Sequence, residues 1–492
     1  MFRNGLAVAP LFAAIIAAAL VAAAPQIFND GDTFMHIAAG QRMLQLGAVL
    51  HTDPFSFTFA GKPWETHEWL SEVVMGACYN LAGLSGVALL MAAAFGATAG
   101  LLARHLGGWL SGPALIATLL LGLLSLSPSI LARPHLLALP FLEMWLAELL
   151  IARSQARLPD WRRLAPLMIV WANLHGSFAF GLALLGAFGL EALILARGSR
   201  AVLLRWAGLG AVCGLAAMVS PHGLNNLLFP LRLMSMKVLP WINEWQPMTP
   251  ATQPTFMLPL LIGAFALIRT RAQVALLPLL LTLLLVWLAM GQVRQVLLFG
   301  VCVPLLLAEP LGRALTPSPE RKSVPLWAGG LIGLAAVLVI AGVRLAVPAR
   351  VHDGPTTPVV AISHLPPALR GMPVLNTYDF GSYLLFVGDP PYIDSRAEVY
   401  GDPFLARYGR LSAGDPEVVA STLADPRIRW TLLDAKSPIV GILDHTPGWT
   451  RYYADPLAVI HVRTTAATPS EEPRPPPPLA CPGSCPRPSR RS

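Results

Sequence analysis

Long apolar runs constrain this chain more than any other feature. Stretches of roughly 18 or more mostly apolar residues recur along its first two thirds, each long enough to cross the hydrocarbon core of a bilayer. With 55% hydrophobic residues and 13% charged ones among 492, a soluble globule is excluded and an α-helical polytopic membrane protein is expected. The formal net charge of +8 does not point to nucleic acid. The arginines stand in short clusters between the apolar runs, where they set topology.

Counting Lys and Arg in short loops threads the runs consistently. From Arg3 inside, a first span at about 6–27 places the loop 28–82 outside, and a second at about 86–103 returns to Arg104 and His105. Spans near 113–130 and 135–151 turn outside at Arg133 and deliver Arg153, Arg157, Arg162 and Arg163 to the cytoplasm. Residues 165–196 are too long for one span and too short for two, so they read as a hairpin of short helices turning at 173–176. Such a turn is tolerated at membrane depth only if protein buries it or it lines a wet cavity. Further spans are expected near 206–219, 256–268, 274–290, 296–309 and 326–343, with Arg313, Arg321 and Lys322 inside. The first run also has the look of a secretory signal, and cleaved or retained it leaves residue 28 outside.

Three domains follow: a multi-span domain, 1–347, carrying the acid-rich external loop 28–82; an extracytoplasmic α/β domain, 348–465; and a Pro-rich tail, 466–492, whose composition predicts disorder. In the α/β domain MPVLNT, PYIDSR, IRWTLLDA, WTRYYAD and AVIHVR read as short strands, and DFGSYLLF, DPFLARYGRL and PEVVASTLA as helical. Cys78, Cys213 and Cys302 lie in or beside apolar runs and read as packing residues, whereas Cys481 and Cys485 in the tail form a pair only in an oxidising compartment.

The loop gathers Asp30, Asp32, His36, His51, Asp53, Glu65, His67, Glu68 and Glu72 beside a membrane. Asp32 suits the N-cap of a helix over TFMHIAAGQRML, and a capping carboxylate screened from water is also placed to accept a proton or hold a cation. The acids and histidines of WETHEWLSE fall at helical spacing, as on a docked amphipathic helix. Arg133, His135, His175, His222, Asn225, Asn226, Glu244 and Arg294 all fall at outward turns of the threading. Ionisable groups at membrane depth are costly and default to functional hypotheses. Their bland readings are a snorkelling arginine at 133 and a satisfied polar turn at 175. No phosphate-binding loop, HExxH, nucleophile elbow or paired CxxC is present.

DGDTFMHIAAGQ after one span, then DPFSFTFAGKPWETHEWLSEV, a later WANLHGSF and a small C-terminal external domain together resemble bacterial GT-C glycosyltransferases, closest to the protein-mannosyltransferase-like branch. The resemblance implies a GT-C fold and inverting transfer from a polyprenyl-phosphate sugar to an extracytoplasmic lipid, glycan or protein, in a bacterial inner membrane. It implies Asp32 as the catalytic carboxylate, with Asp30 beside it, where many members carry adjacent acids. It further implies Arg133, His135 and Arg294 as ligands of the lipid phosphate, with His36, Glu68, His175 and His222 lining the substrate pocket, no certain cofactor, and a divalent cation as a candidate. A transporter or flippase of a lipid-linked substrate, or a non-catalytic envelope assembly protein, are the alternatives.

Overall fold

A computed structural model describes residues 5–241, 243–249, 253–315 and 323–464. Arg3, Arg321, Lys322, Cys481, Cys485 and the Pro-rich tail lie outside the described residues. In chain order the first helices are α1 (Val8–Ala23), α2 (Thr33–Leu46), α3 (Trp69–Leu106), α4 (Gly112–Leu126), α5 (Pro134–Ser154), α6 (Trp161–Leu174) and α7 (Phe178–Leu195). They continue with α8 (Arg200–Ala217), α9 (Leu224–Met234), α10 (Pro254–Thr270), α11 (Leu276–Gly291), α12 (Val296–Leu315) and α13 (Leu326–Ala346). Two short strands, β1 (Gly5–Ala7) and β2 (Ser323–Pro325), pair antiparallel.

Seven of the described helices are long and apolar enough to cross a membrane, and α1, α10 and α11 are shorter apolar helices. This is a multi-pass membrane protein. The described residues fall into two compact units, one within 5–28, 66–74 and 84–349 and the other within 29–65, 75–83 and 350–464.

In the helical unit α5 and α12 are largely buried, and α12 packs against α4, α5 and α11. A helix apolar on every side belongs in such an interior. Helix α13, by contrast, leaves Trp327, Leu331, Leu334, Val337, Leu338 and Val339 exposed. Water would penalise that surface, whereas lipid solvates it. The expected hairpin is present: α6 stops at Leu174, α7 starts at Phe178, and Trp171 Nε1–H donates to Ser177 Oγ across the turn at 3.0 Å. The arginine cluster after α5 is held by acids, with Glu148 taking Arg157 at 2.9 Å and Arg163 at 3.1 Å.

The second unit contains a four-stranded sheet of β3 (Val374–Asn376), β4 (Trp430–Asp434), β5 (Trp449–Ala454) and β6 (Ala458–Arg463) in the order β3-β4-β6-β5. Strands β3 and β4 run parallel, and the other pairs antiparallel. Around it lie α14 (Val359–Ser363), α15 (Gly381–Val387), α16 (Ala397–Ser412), α17 (Pro416–Leu423) and α18 (Pro438–Asp444). The expectation of a strand at PYIDSR is corrected. Pro391 makes one isolated bridge to Val374, and Asp394–Arg396 form a turn before α16.

That turn is pinned by Arg396, whose side chain is fully buried. Its Nε donates to Asp394 Oδ1 at 2.8 Å, Nη2 to Asp394 Oδ2 at 2.6 Å and Nη1 to Asp53 Oδ1 at 2.8 Å. Trp64 and Phe55 flank the guanidinium, with ring centroids 4.5 and 5.3 Å from its central carbon. A buried charge is tolerable because each guanidinium nitrogen finds a partner and two carboxylates balance it. The external loop therefore folds as part of the α/β body: Thr58 Oγ1 also donates to the Tyr392 carbonyl at 2.7 Å.

The amphipathic helix expected over WETHEWLSE is corrected too. Residues 64–66 have no regular structure, 67–68 form a turn, and α3 begins only at Trp69. Of its four ionisable groups only Glu72 is helical.

Candidate functional site

Helix α2 starts in the segment Asn29-Asp30-Gly31-Asp32-Thr33. Asp32 occupies the N-cap position, but with φ −98° and ψ −24° its backbone is already helical, and its side chain makes no cap hydrogen bond. An N-cap reaches the first turn from an extended backbone, so Asp32 cannot serve as one here. Asp30 does the work instead: its Oδ2 accepts from the backbone N–H of Asp32 at 3.1 Å, the N–H of Thr33 at 2.9 Å and the Thr33 hydroxyl at 2.9 Å. The capping expected of Asp32 thus belongs to Asp30, which is 3% exposed. The two residues each offer a carboxylate oxygen within 4.8 Å of the other. His36 follows one helical turn later, also buried, its N–H bonded to the Asp32 carbonyl at 3.1 Å.

Within the same unit Tyr378 stands near Asp32. Burial, and then the charges of Asp32 and Asp394, push its phenol well above the ordinary range, so it stays protonated. Its hydroxyl donates to the Ser395 carbonyl at 3.1 Å, in the turn that Arg396 fixes. Helix α15 packs along α2, with the Phe34 ring 5.1 Å from Tyr383 and 5.2 Å from Phe386.

The remaining sequence-expected residues lie in the helical unit. Arg133 is ion-paired with Glu244. Arg294 lies over the Trp245 ring, 4.3 Å from its centroid, an arrangement in which a guanidinium keeps its charge while burying one face. His135 Nε2 is 2.7 Å from the Ser129 carbonyl, and its ring lies 6.4 Å from that of His175. His175 Nε2 and His67 Nε2 each stand 3.5 Å from Glu68 Oε1. His222 Nε2 is 3.2 Å from the Thr66 carbonyl. Asn226 serves structure: its amide donates to the carbonyls of Ala172 at 3.0 Å and Ala217 at 3.1 Å.

Burial pulls His175 down to about 3, against the raising effect of Glu68 and with help from His135 and Arg294. It is neutral at physiological pH and acts as a hydrogen-bonding group rather than a cation.

No family model matches the chain, and no curated protein matches it in sequence. Among solved structures it is similar to the archaeal oligosaccharyltransferase AglB of Archaeoglobus fulgidus in complex with an inhibitory peptide and a dolichol-phosphate. The TM-score is 0.51 at 12% identity, over 86% of this chain and 69% of that one. The same enzyme's complex with zinc and sulfate gives 0.50 at 13% identity, over 86% and 68%. The fold is that of the GT-C glycosyltransferases. ArnT of Cupriavidus metallidurans bound to undecaprenyl phosphate gives 0.48 at 16% identity over 93% of this chain and 98% of that one, and adds nothing to the assignment. At such identities the GT-C likeness carries architecture, and activity must be argued from the residues.

Two participants escaped the sequence. Tyr378 falls between the stretches MPVLNT, read as strand, and DFGSYLLF, read as helical, and Arg396 in one that reads as strand; neither has a local spacing that announces a partner more than 300 residues away. Trp245 was visible as an aromatic in WINEWQP, with nothing in the sequence to pair it with Arg294.

Proposed function

We propose that this protein is a glycosyltransferase of a bacterial inner membrane. It moves a sugar from a polyprenyl-phosphate-linked donor to a hydroxyl of an extracytoplasmic lipid, glycan or protein, inverting the anomeric carbon. The observation that carries this reading is the pair of carboxylates at the head of α2 within a GT-C fold: Asp30 and Asp32 each offer an oxygen within 4.8 Å of the other.

In this mechanism Asp32 takes the acceptor's hydroxyl proton as the oxygen attacks the anomeric carbon. The bond from that carbon to the phosphate oxygen breaks, and its electron pair leaves on the polyprenyl phosphate. A phosphate is already a competent leaving group, so the protein's task is to position the acceptor, supply the base and stabilise the departing charge. Arg294, presented on Trp245, and Arg133, balanced by Glu244, are the cations for that charge. His135, His175 and His222 are hydrogen-bonding groups for the substrate, and His36, one helical turn after Asp32, is a further substrate-binding group.

A divalent cation fits the donor set at the helix start. Two carboxylates within 4.8 Å suit a hard ion that keeps its other positions for water or substrate oxygens. Bound there by Asp30 and Asp32, such an ion would make an acceptor hydroxyl easier to deprotonate.

The test is the glycan and glycolipid profile of membranes carrying Asp32→Asn. Loss of one glycosidic linkage, with the protein present at normal level, is the expected result. An unchanged profile in both Asp32→Asn and Asp30→Asn overturns the reading. A lipid-linked substrate accumulating on one side with every linkage intact points to transport.

A further inference from the structure

His175, in the turn of the α6–α7 hairpin, faces Glu68 at the start of α3, and the position of the proton on its ring is set by geometry. In the turn His175-Gly176-Ser177, the Ser177 backbone N–H donates to His175 Nδ1 at 3.1 Å. A ring nitrogen that accepts a hydrogen bond carries no proton, so the neutral ring holds its hydrogen on Nε2. That nitrogen faces Glu68 Oε1 at 3.5 Å, beyond the length of a well-made N–H···O bond. An imidazolium would be the ordinary partner of a carboxylate, but here it would have to give up the Ser177 contact.

The pair is also rigidly mounted. One residue after Glu68, the Trp69 indole N–H donates to Asn173 Oδ1 at 2.6 Å, and Ser71 Oγ donates to the Leu174 carbonyl at 2.7 Å. These bonds bolt the start of α3 to the end of α6. Asn173 is itself fixed, its amide donating to the carbonyls of Ile169 and Val219, both at 2.8 Å. On the other side His67 stacks on Phe229 with ring centroids 3.8 Å apart. Glu68 and His175 are mostly buried, at 12% and 18% side-chain exposure. The charge of Arg294 reaches His175 strongly enough to help keep it neutral.

A neutral donor and an anionic acceptor, held side by side on rigid backbone, match two adjacent hydroxyls of one sugar ring. One hydroxyl oxygen accepts and the next hydroxyl donates. We propose that Glu68 and His175 read a vicinal diol on the sugar of the lipid-linked donor, with His175 Nε2–H giving a hydrogen bond to one hydroxyl and the Glu68 carboxylate taking one from its neighbour. This rests on the transferase reading and deepens it. It assigns the donor to the class with two free adjacent hydroxyls, and sets that sugar beside the arginine taken as a phosphate ligand.

The full-length protein in detergent is titrated with citronellyl phosphate and with citronellyl phosphate esterified to glucose, mannose or galactose. In the wild type at least one sugar-bearing probe is expected to bind tenfold or more tightly than the sugarless one. Glu68→Gln and His175→Asn are expected to remove most of that advantage while leaving the sugarless probe within twofold. Asn at 175 keeps an oxygen for the Ser177 N–H and deletes only Nε2–H, so its effect separates recognition from support of the turn. A sugar advantage that survives both substitutions, or no advantage in the wild type, overturns the diol assignment alone. Absence of binding by every probe overturns the transferase reading with it. Independently, histidine-selective 15N spectra of the wild type, assigned with His175→Asn, are expected to show His175 as the Nε2–H tautomer, untitrated down to about pH 4. The opposite tautomer, or titration in the ordinary histidine range, overturns the pair.

Discussion

Among single residues, the pair Asp30 and Asp32 shows how chemically equal side chains are given different work by backbone alone. Replacing Asp30 with Ala removes the acceptor of two backbone N–H groups and a hydroxyl. It is expected to lower stability by about 1 kcal/mol, the usual cost of a lost cap, whereas Asp32→Asn removes no acceptor from the first-turn N–H groups and is expected not to incur that cost. Comparing thermal melts of the two purified variants checks this, and equal losses would mean that both acids hold the helix start. That the loop concentrates acids was legible in the sequence. Which acid caps was not, because both precede the helix closely enough, and only the helical φ and ψ of Asp32 keep its own carboxylate off the first turn. His175 was legible as a turn residue, but its tautomer depends on where the Ser177 N–H points.

For the elements, spans and strands were readable where periodicity and length speak locally. The strands β3 to β6 fall inside segments that alternate or run apolar between turn signals, and the hairpin turn falls where WANLHG interrupts an apolar run. The errors came where tertiary contact overrides local pattern. PYIDSR has strand composition but is a turn held by a buried arginine, and WETHEWLSE has helical spacing but enters α3 only at Trp69. The approach of α2 to α3 was equally silent. At Gly76 a Cβ would lie 2.6 Å from the backbone nitrogen of Gln41 and 2.6 Å from the carbonyl carbon of Gly40, so only glycine fits without moving a helix. Gly76→Val is expected to destabilise by about 1 to 3 kcal/mol, the range for overpacking a close contact. It should also loosen the bond between Gln41 Nε2 and Asn80 Oδ1, now 2.6 Å. A melting temperature equal to wild type would show that the crossing yields more easily than its geometry implies.

Over the whole molecule, the apolar runs gave the polytopic class, and the shift to mixed composition after about residue 350 gave a separate α/β body. They did not show that the loop 29–65 folds with that body, since contacts across several hundred residues leave no local trace. A chain ending at residue 349 is expected to keep its helical unit while its loop becomes sensitive to protease, with cleavage between 50 and 65 as the readout. A loop equally resistant in the shortened and complete chains would show that it folds unaided. Arg396 closes on Asp53 across 343 positions of sequence. At synthesis rates of 5 to 20 residues per second that separation is roughly 20 to 70 s. For all of that time Asp53, Phe55 and Trp64 have emerged and their partner has not been made. The loop thus leaves the ribosome well before the residues it finally packs against, and it must be kept from wrong partners throughout that wait.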